Sequence, residues 1–311
     1  MKRYFEGWYF KIVDKDENVV FAIIPGVSFE KDGTAHCFIQ FFDGKEVIMH
    51  NIKYDIEQFQ YSKKRFEVKI GNNIFTSKKI VLEIDSEDIK VKGTIELGDL
   101  SPWPVKFFNP GAMGPFRLVP FMECYHGVLS FDHKLRGKLD VNETSINFTD
   151  GRGYIEKDYG KSFPSYYLWM QSNHFPSEGT SIMVSLANIP WLGSSFDGFI
   201  VGFLNNGHLY RFATYTGAKL TKLKISEKTI ITHFSDRKYR LEVVAHKAEG
   251  VDLLSPKGGS MTGRILESIT AELQVKLIKI RKNQETILYE GRGRNAGLDI
   301  GGKVEKIEEI G

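Results

Sequence analysis

Cysteine is scarce in this sequence, and Cys37 and Cys124 are the two thiols among 311 residues. Two cysteines are too few for a disulfide framework, and neither has a second cysteine at the spacing of a metal site. Long apolar runs are missing as well. No stretch reaches the length of a membrane span, and the N-terminal MKRYFEGWYFK lacks the apolar core of a signal peptide. The sequence therefore predicts reduced thiols, a cytoplasmic location and no integral membrane segment.

The charge is nearly balanced, which argues against a nucleic-acid partner. There are 42 basic and 39 acidic residues, and a net charge of +3 gives no basic footprint for a phosphate backbone. The motifs G-x-S-x-G and H-E-x-x-H and the phosphate-binding P-loop are missing. The eight histidines are scattered along the chain, so the sequence predicts no metal site.

Strand patterns run through nearly the whole chain. Short stretches of alternating polar and apolar residues are separated by turn pairs such as Asp43-Gly44 and Asn206-Gly207, which favour hairpins. The high aromatic content of 13% also favours strands. We therefore predict an all-β fold of antiparallel strands with very little helix.

Residues 264–280 and 160–165 determine two further details of the predicted fold. Residues 264–280 are long enough for a helix, but their apolar residues alternate at 269, 271, 273, 275 and 277, which is typical of a strand. The strand pattern breaks at 160–165, between two halves of similar length. We predict two β-barrels in tandem, at 1–162 and 163–311, with the boundary placed to within about 20 residues.

The segment SPWPVKFFNPGAMGPFRLVP at 101–120 interrupts the strands. It is rich in proline and glycine, which regular elements do not tolerate, yet it carries Trp103, Phe107, Phe108 and Phe116. We predict an ordered loop at the edge of a pocket. For its FNPGAMGPF part we favour a buried loop, and a transient contact with a membrane surface is the alternative.

The stretch GRGYIEKDYGKSFPSYYLWMQSNHF at 151–175 is the most unusual part of the chain. Side chains two apart on a strand share a face, so Tyr154, Glu156 and Asp158 are predicted to lie together. The same rule groups a second set of four residues, Tyr167, Trp169, Gln171 and Asn173. Such a face suits the wall of a pocket for an apolar ligand. The alternative is a half-buried strand whose amides bond to neighbouring backbone groups.

Three shorter motifs add candidate residues. FEGWYFK at 5–11 places Glu6 and Trp8 on one face, and FMECYHG at 121–127 places Glu123 and Tyr125 on one face with His126 on the other. NAGLDIGG at 295–302 has glycines that allow close backbone approach. For each motif, ordinary core packing is the competing interpretation. The predicted substrate-binding residues are Glu6, Trp8, Glu123, Tyr125, His126, Tyr167, Trp169, Gln171 and Asn173.

Three segments of the chain also occur, in the same order, in tocopherol cyclases and their bacterial relatives: FEGWYFK, GYIEKDYGKSFPSYYLWMQSN and AGLDIGG. The chain therefore resembles that family. It is more distantly similar to carotenoid hydratases and Diels–Alderase-like proteins, which have two lipocalin-like barrels in tandem. The resemblance implies this fold. The plant cyclases have Asn and Trp where this chain has Asp158 and Tyr159. The resemblance is therefore a better guide to the fold of this chain than to its substrate.

The resemblance also implies a reaction. Tocopherol cyclases close a prenylated hydroquinone to a chromanol without a redox cofactor, by adding a proton to an alkene and capturing the cation with the phenol oxygen. An undissociated acid must supply that proton, and repulsion between Glu156 and Asp158 would leave one proton on the pair. We expect Glu156 and Asp158 to be catalytic, with Lys157 pointing away from them. Glu123, Tyr125 and His126 are reserve candidates for the acid. Aromatic faces such as Trp8 and Trp169 would stabilise the cation.

The predicted ligand is therefore a small hydrophobic molecule of the prenyl type, and no cofactor is predicted. Two alternative functions remain open. One is a lipocalin-type carrier that binds an apolar ligand without chemistry. The other is a hydratase, in which water replaces the phenol as the nucleophile.

Overall fold

The computed structural model describes residues 3–106, 109–120, 122–191, 193–282 and 284–302. Almost every regular element in these residues is a β-strand, and the helical elements among them are the 3-10 turns Ile56–Gln58, Gly114–Leu118 and Thr214–Thr216. The first part of the chain forms β1 (Tyr4–Val13), β2 (Val20–Phe29), β3 (Ala35–Asp43), β4 (Ile48–Asp55), β5 (Phe59–Tyr61), β6 (Glu67–Ile70), β7 (Asn73–Thr76), β8 (Lys79–Asp85), β9 (Lys90–Leu97), β10 (Val105–Lys106), β11 (Asn109–Pro110), β12 (Cys124–Val141), β13 (Thr144–Asn147) and β14 (Arg152–Gly160). The rest forms β15 (Tyr166–Ser172), β16 (Ser181–Trp191), β17 (Ser194–Asn205), β18 (His208–Ala213), β19 (Lys219–Ile225), β20 (Thr229–Ser235), β21 (Tyr239–His246), β22 (Val251–Lys257), β23 (Ser260–Arg281) and β24 (Gln284–Gly302).

These strands form two large antiparallel sheets. The first has the order β4-β3-β2-β1-β14-β12-β9-β8-β7-β6-β5, and the second has the order β18-β17-β16-β15-β24-β23-β21-β20-β19. The all-β, lipocalin-like fold class is confirmed. The expected barrels are not closed: within the described residues the hydrogen-bonded order of each sheet is an open path. The stretch 264–280 is a strand, as its alternation indicated.

Contacts group the chain into two compact units that are each discontinuous in sequence. Unit 1 contains Met1–Pro104, Cys124–Phe163 and Leu254–Gly263, and unit 2 contains Val105–Glu123, Pro164–Leu253 and Arg264–Gly311. The late segment joins unit 1 through side chains of the first sheet. The amide of Gln40 both donates to the carbonyl of Leu254 and accepts from its N–H, at 3.1 Å each.

Each unit has its own apolar core, built from the inward residues of alternating strands. In β8 the buried positions Ile80, Leu82 and Ile84 alternate with exposed or half-exposed ones. Such a strand is buried on one face alone. In contrast, every residue of β15 is buried, so both of its faces are covered. On β14 the residues from Gly153 to Glu156 are all buried. Residues 153–156 of β14 and all of β15 therefore lie in the interior on both sides of their strands.

The proline- and glycine-rich stretch forms a short ladder of β10 with β11, followed by the turn Gly114–Leu118. Trp103, which precedes the ladder, is buried and stacks on Phe131 with ring centroids 5.6 Å apart. Phe107 and Phe108 lie outside the described residues. No helix among the described residues is long and apolar enough to span a membrane.

Candidate active site

The candidate site of unit 1 is built on three neighbouring strands, β1, β14 and β12. Asp158 of β14 lies opposite Gly7 on one side and His126 on the other, and Glu156 lies opposite Tyr9. Because directly paired residues point to the same face of a sheet, Glu156, Asp158 and His126 project together. Gly7 has no side chain, which leaves space beside Asp158.

The three side chains form a tight network. The Nδ1 of His126 is 2.9 Å from Oδ1 of Asp158, and its Nε2 is 3.8 Å from Oε2 of Glu156. Tyr154, two residues before Glu156, donates its hydroxyl to the same Oε2 at 2.6 Å. The side chain of Glu156 is 6% exposed and that of Asp158 is 23% exposed. Neither carboxylate is bathed in solvent.

The network holds a proton on His126. Burial lowers the pKa of this imidazole, but the negative charges of Asp158 and Glu156 and the hydrogen bond to Asp158 outweigh it and raise the pKa to about 9. Lys11, fully buried on the same face of β1, lies opposite Tyr154.

Tyr154 is the hydrogen-bond donor of the group. Burial, the charge of Glu156 and the hydrogen bond to it raise the pKa of the Tyr154 hydroxyl well above its usual value. The phenol therefore stays protonated and keeps donating to Glu156. Tyr154 donates to Oε2 of Glu156, and Nε2 of His126 lies 3.8 Å from the same oxygen. The sequence analysis predicted His126 as a substrate-binding residue and as a reserve candidate for the acid.

The same three residues could also hold a cation. One ligand atom from each of His126, Glu156 and Asp158 lies within 4.8 Å of the others. A metal ligand must be a neutral imidazole, whereas here Nδ1 bonds to Asp158 and the pKa of His126 is raised to about 9. A metal would therefore have to displace a tightly held proton. The donor set fits a proton site better than a metal site.

The opposite face of the same strands carries a separate group. Lys157 pairs with Glu6 in an ion pair, and its ammonium lies 5.0 Å from the ring centroid of Trp8. Tyr125 and Tyr159 stack beside them with centroids 4.9 Å apart. As expected from the alternation, Lys157 points away from Glu156. The structure also places the candidates Glu6, Trp8 and Tyr125 on the face of Lys157, away from the network of His126.

Glu123, another candidate, immediately precedes β12 and is half-buried. Burial raises the pKa of its carboxyl group. The contacts group Glu123 with unit 2, and His126 belongs to unit 1. The three candidates of the FMECYHG motif therefore have three different surroundings.

Three of the remaining candidates, Tyr167, Trp169 and Gln171, lie on one face of β15 in unit 2, and Asn173 follows the end of that strand. Trp169 is directly opposite Asp299 of β24, which in turn is opposite Glu267 of β23. All three are at least 90% buried. Tyr167, next on the same face, donates its hydroxyl to Oδ2 of Asp299 at 2.8 Å. The predicted aromatic and amide face therefore also contains two buried carboxyl groups that the sequence analysis did not single out.

The two amides of this face point toward each other. Gln171 donates to the side-chain oxygen of Asn173 at 3.4 Å, and the ring of His174 lies 3.1 Å from that same oxygen. All three side chains are buried. Gln171 and Asn173 are thus joined by a side-chain hydrogen bond on this face.

The sequence analysis missed Lys11, Asp299 and Glu267, and it grouped Tyr154 with Glu156 and Asp158 without assigning it a role in the site. The sequence contained a signal for two of these residues, Lys11 and Asp299. Lys11 has the same parity on β1 as Tyr9, and Asp299 lies inside the NAGLDIGG motif that was noted for its glycines. Glu267 carried no recognisable signal because irregular pairing follows it in β23.

These features define an all-β protein with two lipocalin-like sheets and buried acid networks on neighbouring strands. Two solved structures share this fold. CghA in complex with Sch210972 has a TM-score of 0.57 at 7% identity, and kievitone hydratase from Nectria haematococca has a TM-score of 0.55 at 13% identity. Each similarity covers 97% of this chain and 89% of the other. No curated protein matches the chain in sequence.

The sequence itself gives the family. The profile of the tocopherol cyclase-like family matches residues 101–302, which is about two thirds of the chain. The chain belongs to the tocopherol cyclase-like family. The resemblance seen in the motifs is thus confirmed.

Proposed function

We propose that this protein is a cofactor-free enzyme that begins its reaction by adding a proton to an alkene of a prenylated phenol and closes the molecule to a cyclic ether. The observation that carries the proposal is the His126 network, which keeps a transferable proton inside the protein at neutral pH. The raised pKa of about 9 for His126 means that the imidazole is loaded with its proton under ordinary conditions. Membership of the tocopherol cyclase-like family supports the substrate class.

The proposed step balances without an oxidant or a second substrate. The Nε2–H of His126 breaks as a C–H bond forms at the less substituted alkene carbon, which leaves a tertiary cation on the neighbouring carbon. The phenol oxygen attacks that cation, and the phenolic proton returns to Nε2. His126 is the catalytic acid and base in this scheme, and the net reaction is an isomerisation.

The two carboxylates would have a different role from the one expected from sequence. An imidazolium is a weaker acid than a carboxyl group, so the developing cation needs electrostatic help. Asp158 bonds to Nδ1 and orients the ring, while Glu156 lies 3.8 Å from Nε2, next to where the cation would form. In a site with little water, a negative charge at that position stabilises the transition state strongly. The roles of Tyr167, Trp169, Gln171 and Asn173 in ligand binding stay predictions.

A hydratase is the second candidate. The same proton transfer followed by attack of water would give a tertiary alcohol. The similarity to the fold of kievitone hydratase supports the hydratase as a candidate. A carrier without chemistry is the third. A carrier would need no transferable proton beside its carboxylates. The His126 network therefore favours the cyclase and the hydratase over the carrier.

The three functions give different products from one probe. Purified protein is incubated with geranylhydroquinone, which contains a trisubstituted alkene, and the products are separated by liquid chromatography and mass spectrometry. An isomer of unchanged mass supports the cyclase, and a product that has gained one water supports the hydratase. Recovery of the intact probe in complex with the protein supports the carrier and contradicts the proposal.

Active-site variants decide whether the network is responsible. His126→Gln should lower turnover by about 100-fold or more, the usual size of a general acid contribution. Glu156→Gln should lower it by a similar factor, because it removes the negative charge beside the developing cation. Lys157→Met is the matched control, because Lys157 is adjacent in sequence but on the opposite face. It should retain turnover to within about threefold. Equal losses in all three variants would show that the effect is structural.

A further inference from the structure

One face of the second sheet carries polar side chains in the interior of unit 2. Gln171 lies two residues after Trp169 on β15, so the two side chains share this face. Trp169 is directly opposite Asp299 of β24, and Asp299 is directly opposite Glu267 of β23. All four side chains are buried. An amide and two carboxyl groups therefore lie next to an indole ring, away from solvent.

A serine of the neighbouring strand extends this face. Gln171 is directly opposite Met183 of β16, and Ser181 lies two residues before Met183 on the same side of the sheet. Ser181 and Gln171 are thus diagonal neighbours on adjacent strands, and a long side chain such as glutamine reaches across that separation. We define the polar face as a group of five residues: Trp169, Gln171, Ser181, Glu267 and Asp299.

Two atoms of the polar face have open hydrogen-bonding capacity. Within the described part of the chain, Oε1 of Gln171 and Oγ of Ser181 are buried without a hydrogen-bond partner. Both residues are fully buried. The Nε2 of Gln171 donates to Oδ1 of Asn173 at 3.4 Å, so the amide oxygen is the atom left for a guest. Because an unpartnered polar atom in the interior lowers stability, two of them on one face point to a guest that completes their bonds.

The chemistry of these two atoms selects the kind of guest. An amide oxygen can only accept hydrogen bonds, whereas a serine hydroxyl both donates and accepts. A hydroxyl group on a guest can therefore donate to Gln171 and accept from Ser181 with one oxygen. Since both protein groups are uncharged, a neutral guest meets them without the cost of carrying an ion into the interior. The indole of Trp169 gives an aromatic guest a ring to pack against.

We propose that the polar face of unit 2 binds an uncharged aromatic molecule through its hydroxyl group. This inference concerns unit 2 alone and rests on no step of the proposed reaction. A cationic guest is the competing occupant, because two carboxyl groups belong to the polar face. However, Oδ2 of Asp299 already accepts the hydroxyl of Tyr167 at 2.8 Å, whereas the open atoms of Gln171 and Ser181 belong to neutral groups.

Three small probes with one common skeleton distinguish these occupants. They are para-tert-butylphenol, its methyl ether para-tert-butylanisole, and the positively charged para-tert-butylbenzylamine. Binding of each probe to the full chain is measured by isothermal titration calorimetry. The phenol should bind about tenfold more tightly than the anisole, because the methyl ether has no donor for the oxygen of Gln171. The amine should also bind more weakly than the phenol.

Substitution of Gln171 tests whether its amide carries this preference. Gln171→Met keeps the length of the side chain and removes the amide, so the phenol and the anisole should then bind to within about threefold of each other. The variant should also raise the melting temperature of the ligand-free protein by about 2 °C, because the buried unpartnered acceptor is gone. Gln274→Met, at an exposed glutamine of β23 in the same unit, is the matched control and should change neither quantity.

Each contrary result overturns the proposal in a different way. Equal binding of phenol and anisole, or no binding of the phenol, would show that the polar face does not select a hydroxyl group. An unchanged preference in Gln171→Met would place that selection elsewhere, and a lower melting temperature of this variant would make its amide a structural group. Tighter binding of the amine would assign the face to a cation. A protein that prefers the phenol but leaves geranylhydroquinone unchanged would support this site and contradict the proposed reaction.

Discussion

The buried imidazolium of His126 predicts a specific dependence of stability on pH. The pKa of His126 is raised from 6.5 to about 9 in the folded protein. A group whose pKa is raised by folding stabilises the folded state below its unfolded pKa and loses that contribution as the pH rises through the folded pKa. The network should therefore stabilise the protein fully below about pH 6.5 and hardly at all above about pH 9.

The magnitude follows from the pKa shift. At about 1.4 kcal/mol per pKa unit, the raised pKa of His126 corresponds to about 3 kcal/mol of unfolding free energy. Roughly 2 kcal/mol of it should remain at pH 7.5, and almost none at pH 9.5. The ring is almost fully enclosed, so solvent screening removes little of this energy. A contribution of this size is a large part of the total stability of an ordinary domain.

The assay compares wild type with His126→Gln, which cannot take up a proton. Urea unfolding is followed at pH 6.5, 7.5, 8.5 and 9.5, and the difference in unfolding free energy between the two proteins is plotted against pH. This difference removes the pH dependence of all other groups that the variant leaves unchanged. It should fall by about 3 kcal/mol across the range. His208→Gln, a change at an exposed histidine, should follow the wild-type curve.

Parallel curves for wild type and His126→Gln would refute the reasoning. They would mean that folding does not raise the pKa of His126, which would then be mostly neutral at pH 7 and could not hold the proposed proton. A difference that grows with pH, rather than shrinks, would give the opposite sign and would contradict the assignment equally. The two variants Glu156→Gln and Asp158→Asn should each flatten the dependence in part.

Three further predictions concern single positions. Tyr154→Phe removes the donor to buried Glu156 and should lower the unfolding free energy by about 1.5–3 kcal/mol in urea unfolding, whereas Tyr61→Phe at an exposed ring should change it by less than about 0.5 kcal/mol. Gly137→Ala should lower the melting temperature by several degrees, because a Cβ would lie 2.2 Å from the carbonyl of Thr94 at a φ of 126°; a loss no larger than that of Gly33→Ala, where a Cβ meets nothing within 4 Å, would contradict this explanation. In liquid-chromatography assays, Lys157→Met should keep turnover within about threefold while Glu156→Gln loses about 100-fold; similar losses would contradict the assignment of faces.

The sequence predicted the local part of the site well because strand alternation is a local rule. Tyr154, Glu156 and Asp158 share a face, and Lys157 points the other way, as a regular strand requires. The same rule grouped Tyr167 with the amides of β15. Alternation also decided that residues 264–280 form a strand, which the structure confirms.

The partner of the two carboxylates could not be predicted in the same way. His126 reaches Asp158 across 32 residues of sequence, through the pairing of β12 with β14. That register shifts twice between Val128 and His133, so counting residues does not predict which side chains meet. The pairing of Glu267 with Asp299 is non-local too, and irregularities follow it in β23. Because of bulges and long-range pairing, the sequence analysis did not predict that His126 lies beside Asp158 or that Glu267 lies beside Asp299.

The division of the chain was predicted as two continuous halves, and the contacts instead group 105–123 with the second unit and 254–263 with the first. The hydrogen bonds of Gln40 to Leu254 illustrate why this exchange is invisible in sequence. They join a side chain to a backbone segment more than two hundred residues away. No periodicity or turn signal reports such a contact.

The most direct test of the proposed chemistry is the origin of the hydrogen that is added to the alkene. Geranylhydroquinone is incubated with the protein in deuterium oxide, and the product is analysed by mass spectrometry and proton NMR. The His126 network exchanges its proton with solvent, so the account predicts a cyclic product with one deuterium on the carbon next to the new ether carbon, formed by wild type and not by His126→Gln. A cyclic product without deuterium at that carbon, or the same labelled product from His126→Gln, would contradict it.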